Sequence, residues 1–272
     1  MTLCVAWRLP NQVWFASDSR LSVGGPRGPF FDLGIKICAV PVEIFSVEDS
    51  KIREQSIFKT EYGLAFSGNM MSAHLLREML TTVLSRLQSI SPDIPFKRIV
   101  KVVLAFYKHY LKELHKVFHD SGDYRFFLGG RCPSSGKIMV YKFTHDPTVS
   151  VEEVLLSHPF DFDCIGSGEN HFREIIKKDI DDKAPHLGKK VFQGLRNVIA
   201  DPSASDVGGL IQMGNFDQGT FKLYGVLHYD SQAIVPDPFL PLGGCRWRTS
   251  TKWKKCGIST FAPPSWHLFK KT

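Results

Sequence analysis

The chain predicts an α+β fold in which antiparallel sheets are sandwiched between helix layers. Three observations carry that prediction. Two short β-rich runs open the chain, joined by a Pro-Asn turn. Two helical stretches follow in the middle and two more later, each pair flanked by strands. That order, strands then two helices then strands then two helices then strands, is not the strict alternation of a parallel α/β chain.

Thr2 to Leu9 and Gln12 to Ser17 read as a hairpin across Pro10-Asn11. Leu21 to Gly34, rich in glycine and proline, reads as loop, and Ile35 to Val40 as a buried strand. Residues 45–59 are polar and predict an inserted surface loop, after which Tyr62 to Ser67 resumes as a strand. Met71 to Leu87 predicts a helix with Leu75, Met79, Val83 and Leu87 on one face. Phe96 to Phe118 predicts a second, with Ile99, Val103, Phe106, Tyr110, Leu114 and Val117 on its stripe. Strands are expected at Tyr124 to Leu128 and Lys137 to Phe143, joined by Pro133-Ser134-Ser135-Gly136. Val151 to Leu156 and Phe160 to Ile165 read as two more. Helices near His171 to Lys178 and Lys189 to Ile199 precede strands at Gly209 to Met213 and Thr220 to Tyr229.

Composition is that of an ordinary globular chain, 43% hydrophobic and 22% charged over 272 residues. No run of 18 apolar residues occurs, which excludes a spanning helix, and Arg8 and Asn11 interrupt the N-terminus before a signal-peptide core could form. The six cysteines are scattered, with no C-x-x-C pair and no zinc spacing, so a cytoplasmic protein without metal or cofactor is expected. The net charge of +7 is concentrated in the tail. From Pro236 onward Arg246, Arg248, Lys252, Lys254, Lys255, Lys270 and Lys271 face one acid, Asp237. The expected organisation is a body over 1–235 and a basic, aromatic extension over 236–272. Trp247, Trp253, Phe261 and Trp266 in that extension could stack on single-stranded nucleic acid. A basic segment packed on a neighbouring subunit fits better, because no nucleic-acid motif accompanies them.

The chemistry starts at Thr2. Its small side chain makes Met1 removable, which would expose an α-amine of pKa about 7.7–8.0 beside its own hydroxyl. Such an amine can act as general base for that nucleophile. Taken singly, Thr2 is a threonine after methionine, Asp18 a turn residue after a strand and Lys36 a strand-end lysine that reaches solvent. Their order and company change that. Ala16-Ser17-Asp18-Ser19-Arg20 follows a strand and puts Asp18 sixteen residues after Thr2; Gly34-Ile35-Lys36-Ile37 leads a lysine into an apolar strand. Ala65-Phe66-Ser67-Gly68 ends a strand before a helix, and Gly166-Ser167-Gly168 follows later.

Together these motifs, between Thr2 and about Tyr229, resemble the proteasome β-subunit family of N-terminal-threonine (Ntn) hydrolases. The layout is closest to simple bacterial proteasome-related peptidases such as HslV and Anbu. The resemblance implies a four-layer αββα sandwich, a threonine endopeptidase acting on peptide or protein substrates, and a homo-oligomeric ring. It leaves an ATPase partner open, and it implies no membrane, no cofactor and no nucleic acid. It assigns Thr2 as nucleophile, Lys36 as the cation that keeps the amine neutral, Asp18 as its partner, Gly68 as oxyanion donor and Ser167 as a hydrogen-bonding group near the amine. Leu21, Phe66 and Met70 match the positions that line the substrate pocket. Lys36 sits two residues late relative to the family's spacing. Ala204 and Val207 occupy the places of an aspartate and a serine in the family's Asp-x-x-Ser-Gly-Gly run, and Ser72 replaces an aspartate after the oxyanion glycine. A non-proteolytic Ntn amidohydrolase and a catalytically silent protein of the same fold remain open.

Overall fold

The computed structural model describes residues 2–22, 28–48, 51–118, 124–145, 148–158, 161–179, 187–225, 245–249 and 252–256. The chain opens with β1 (Leu3–Leu9) and β2 (Gln12–Ser17), closed by the two-residue Pro10-Asn11 turn. Two-residue strands β3 (Leu21–Ser22) and β4 (Phe30–Phe31) pair across the next loop. A long antiparallel pair follows, β5 (Ile37–Glu48) and β6 (Lys51–Ser67), then α1 (Met70–Leu84), β7 (Leu87–Ser89) and α2 (Phe96–Phe118). Next come β8 (Arg125–Arg131), β9 (Ile138–His145), β10 (Val149–Glu153), β11 (Phe162–Gly166), α3 (Glu169–Asp179) and α4 (Leu187–Ala200). After a 3-10 turn at Pro202–Ala204, β12 (Gln212–Asp217) and β13 (Thr220–Gly225) close the body. β14 (Cys245–Thr249) and β15 (Lys252–Cys256) pair as a two-stranded sheet of their own. The expected division after residue 235, and the expected strand residues 226–229, lie outside the described residues, as do Phe261 and Trp266.

Two larger sheets form, ordered β11-β1-β2-β12-β13 and β10-β9-β8-β6-β5-β7. Strand alternation sorts their side chains into three cores. In β1, Leu3, Val5 and Trp7 pack with Phe172, Ile176, Val191 and Leu195 of α3 and α4. Cys4 and Ala6 point the other way and meet Ile37, Ala65, Phe127 and Val140 of the second sheet. That sheet in turn sends Leu64, Phe66, Phe126 and Leu128 toward Leu76, Leu80, Val103 and Tyr107 of α1 and α2. Helices, sheet, sheet and helices are therefore stacked in four layers. This is the αββα sandwich.

Three expectations are corrected. Residues 45–59 are not a loop. They are the outer parts of β5 and β6, paired Phe45 to Ser56 and Val47 to Ile52 around register shifts. β8 pairs only with Gly63–Ser67 of β6, so this ribbon runs on without that neighbour. Its polar composition is that of a solvated ribbon rather than of irregular chain. α1 ends at Leu84, and Leu87 belongs to β7, parallel to β5. Its buried stripe is Ala73, Leu76, Leu80 and Leu84, whereas Leu75 is 46% exposed. Apolar residues stand side by side at 75–76, 79–80 and 83–84, so two stripes about 100° apart both satisfy the helical period. The expected strand at 209–213 begins only at Gln212, because Gly209 takes a φ of 76° in a loop.

The corrected face gives a direct test. Leu80→Ala should cost about 2–5 kcal/mol in urea unfolding, as truncation of a fully buried leucine does. Leu75→Ala should change stability by no more than about 0.5 kcal/mol. The reverse ranking would place the wrong face on the sheet.

Candidate active site

The end of β2, the start of β5 and the loop before β12 meet beside Thr2. Thr2 is 2% exposed, Asp18 0% and Lys36 1%, so three polar side chains are buried together at one end of the sandwich. Lys36 Nζ donates to Asp18 Oδ1 at 2.9 Å. The same oxygen accepts the backbone N–H of Leu3, the residue after Thr2, at 3.0 Å. Oδ2 accepts the N–H groups of Gly208 at 3.0 Å and Arg20 at 3.2 Å. Burial pushes the Asp18 carboxyl above its ordinary range, while the Lys36 charge and the Leu3 and Gly208 donors pull it down.

Chain geometry brings these groups in. β1 and β2 pair in register Cys4 to Ser17, so the residues just outside the pair, Leu3 and Asp18, also meet; Asp18 N donates to Leu3 O at 3.3 Å. Lys36 lies one residue before β5, and Phe66 N donates to its carbonyl at 3.1 Å. Cys4 Sγ lies 3.1 Å from both Ser17 Oγ and Phe66 O. It thereby ties β1 to β6, two residues from Thr2 on one side and two from Gly68 on the other. Burial pushes the Cys4 thiol up to about 12, so it offers no thiolate next to Thr2.

Gly68 has a φ of 109° at the junction of β6 and α1, a left-handed conformation that suits glycine. Gly166 has a φ of 113°, and a Cβ there would overlap the carbonyl oxygen of Thr2. The Gly-Ser-Gly turn is therefore laid directly on the Thr2 main chain. Ser167 in that turn is exposed. Of the expected pocket residues, Leu21 and Met70 stay half-buried near the surface. Phe66 is 2% exposed in the helix-side core, edge-on to the His74 ring at 5.5 Å.

The loop that carries Ala204 and Val207 is anchored by packing and by its own polar contacts. Ala204 and Val207 join the core under α3 and α4. Asp201 ion-pairs with His171 of α3 at 2.8 Å and accepts from Ser203 N, so it serves the loop rather than Thr2. The polar contributions come from groups that motif spacing does not reveal. Gly208 donates to Asp18, and its carbonyl accepts from Ser19 N and Arg20 N. The Arg20 guanidinium grips Asp32 through two bonds of 2.7 and 2.9 Å and donates to Ser205 O. Gln212 at the start of β12 reaches across to the segment carrying Lys36. No motif or local period marks it.

Asp163, Cys164 and Glu169 are the grouping among the described residues that could hold a metal. Arg173 and Lys142 already reach Asp163 at 2.5 and 2.8 Å, and Arg173 reaches Glu169 at 2.9 Å. These acids are neutralised by cations, and burial pushes the Cys164 thiol up to about 12. Among the described residues no helix is long and apolar enough to cross a membrane.

The layers and the buried lysine–aspartate pair define a protein with the proteasome-like Ntn fold. Among solved structures, the chain is similar to a mutant of Anbu from Hyphomicrobium sp. strain MC1. The TM-score is 0.56 at 17% identity, over 85% of this chain and 89% of that one. It is likewise similar to Anbu (ancestral beta-subunit) from Yersinia bercovieri, with a TM-score of 0.53 at 15% identity over 79% and 82% of the two chains. No protein-family model and no curated protein matches the sequence.

Unequal support for the two charges yields a stability test. Asp18→Leu takes the carboxylate away from a buried ammonium and three backbone N–H groups, and should cost about 3–5 kcal/mol. Lys36→Met leaves Asp18 with the Leu3, Arg20 and Gly208 donors and should cost less in the same urea titration. Equal losses would contradict the carboxylate's position at the centre of the network.

Proposed function

We propose that the protein is an N-terminal-threonine hydrolase that cleaves peptide bonds through an acyl-enzyme on Thr2. The observation that carries this reading is the buried Lys36–Asp18 pair hydrogen-bonded to the main chain of Leu3, directly beside Thr2. Removal of Met1 frees the Thr2 amine. Thr2 Oγ attacks the substrate carbonyl carbon while its proton passes to that amine. The C–N bond then breaks, and the departing amine takes the proton. Water hydrolyses the resulting ester, and the threonine hydroxyl is restored. Lys36, oriented by Asp18, disfavours protonation of the amine and keeps it a base at neutral pH. The Gly68 N–H is assigned to the oxyanion. Leu21 and Met70 suit an apolar substrate side chain.

Assembly into a homo-oligomeric ring belongs to the same proposal. The α1 face that does not meet the sheet leaves Met71 61% and Leu75 46% exposed, which suits burial against a neighbouring copy. A catalytically silent protein of this fold is the second reading, favoured by the apolar Ala204 and Val207 at positions where the family has polar supports.

Intact mass after incubation with a peptide epoxyketone separates the two. Wild type should begin at Thr2 and gain one inhibitor; Thr2→Ala should gain none, and Thr2→Ser should react more slowly. Lys36→Ala should lose about 100-fold or more in labelling rate, the scale of a disabled general base. Labelling should rise with pH through the titration of the amine, since only its neutral form accepts the proton. A wild-type protein that begins at Thr2 and never reacts would favour the silent reading. Sedimentation at micromolar concentration should show an assembly; a monomer alone would remove the ring.

A further inference from the structure

Gln212 is the first residue of β12, and its main chain pairs with Ser17, the residue immediately before Asp18. Its side chain leaves that sheet altogether. Oε1 accepts the backbone N–H of Lys36 at 2.9 Å and of Ile37 at 3.2 Å. Nε2 donates to the carbonyl of Gly34. One amide thus supplies both an acceptor and a donor to the segment that leads into β5, as a neighbouring strand would. β12 lies in the five-stranded sheet and β5 in the six-stranded one. The amide is therefore a strut between sheets. Through its backbone Gln212 fixes the end of β2 that presents Asp18; through its side chain it fixes the start of β5 that presents Lys36.

We propose that Gln212 is the positioning residue that sets the separation of Lys36 and Asp18. The inference rests on the Thr2 hydrolase reading for its kinetic part and on geometry alone for the rest. The segment that leads into β5 is also held where the Lys36 carbonyl accepts from Phe66 N and where Gly34 N donates to Ser19 O. Without the strut the segment 34–36, which lies ahead of the first β5–β6 pair at Ile37 and Ala65, loses its tie to the other sheet through Gln212. A shift of an ångström matters for an ammonium that must sit 2.9 Å from one carboxylate oxygen. Three polar groups served by one side chain also explain why no apolar residue of similar length could replace it. Methionine would leave the N–H groups of Lys36 and Ile37 and the carbonyl of Gly34 without this partner.

The test uses the full-length chain with Gln212→Met, which keeps length and removes both hydrogen-bonding roles, and Gln212→Glu, which keeps the acceptor. Amide hydrogen exchange at Lys36 and Ile37 reads the strut directly and needs no activity. It should be faster in Gln212→Met and closer to wild type in Gln212→Glu. Epoxyketone labelling across pH reads the consequence. For Gln212→Met the rate at neutral pH should fall about ten- to a hundredfold, the scale of an ångström of misplacement. Its acid limb should move to higher pH, because a displaced ammonium no longer depresses protonation of the amine. Gln212→Glu should recover part of both. Should Gln212→Met fail to fold, Gln212→Glu tests the donor to Gly34 alone: a reduced labelling rate with a shifted acid limb supports the positioning role, and an unchanged rate and limb overturn it. Unchanged exchange at Lys36 and Ile37 overturns the strut. Altered exchange with an unchanged rate and acid limb overturns the positioning role, whatever happens to the melting temperature. If the wild type itself never labels, the Thr2 reading falls, and exchange alone decides the strut.

Discussion

Everything at this end of the molecule is arranged around one requirement: a lysine ammonium and an aspartate carboxylate, both out of water, must meet at 2.9 Å. Either charge alone would be intolerable in that position. The pair is acceptable only because the carboxylate's remaining capacity is filled by main-chain N–H groups from three separate segments, at Leu3, Arg20 and Gly208. That demand brings the first strand, the end of the second and the loop before β12 to a common point. The fifth strand delivers the lysine. The glycines nearby follow from the same crowding: Gly208 lies where a Cβ would strike the Arg20 guanidinium, and Gly166 where it would strike Thr2.

Beside Lys36, the donors that Asp18 accepts are main-chain N–H groups. Where the Ntn pattern carries an aspartate and a serine, this chain has Ala204 and Val207 packed under α3 and α4. The loop is held by that packing, by the His171–Asp201 ion pair and by Arg20, which bridges Asp32 to Ser205. What reaches Asp18 is then a peptide N–H, which cannot be lost by substitution of a side chain. What reaches Lys36 is the Gln212 amide. The loop between β2 and β5 is tied to the same frame, since Ser19 Oγ donates to Asp32 O and accepts from Leu210 N.

Local patterns made much of this legible. The Pro10-Asn11 turn between two β-rich runs announced the first hairpin, and α2 spans the residues its period predicted. Thr2, Asp18 and Lys36 could be nominated because each sits in a short motif at a strand end. The structure brings Asp18 and Lys36 into contact beside Thr2. What escaped had no local signature. Two apolar stripes on α1 satisfy the same period, and only the shape of the sheet decides between them. The outer parts of β5 and β6 carry charges because they run beyond β8, so their composition imitates a loop. Phe66 alternates into the helix-side core, which a motif comparison cannot see without strand direction. Gln212 acts on residues about 175 positions away through a side chain, and no spacing rule addresses such a pair.

The energetics of the pair bear on why it is there. Replacing a buried ion pair by well-packed apolar side chains is often neutral or stabilising by about 1–4 kcal/mol. The inter-sheet core beside it shows how readily such packing forms, with the Phe15 ring against those of Phe127, Phe216 and Phe221. A methionine and a leucine at positions 36 and 18 would extend that core and remove both charges, at the cost of the acceptor that the Leu3, Arg20 and Gly208 N–H groups now share. The charged pair instead requires main-chain donors from three segments, a cross-sheet amide and a close-fitting glycine turn on Thr2. Stability alone does not call for that assembly. A reaction that needs a neutral amine beside a hydroxyl gives it a use, because a fixed cation close by disfavours protonation of that amine. The expense of the arrangement is thus itself an argument for chemistry at Thr2, and it weighs against a protein that has kept the sandwich and abandoned the reaction.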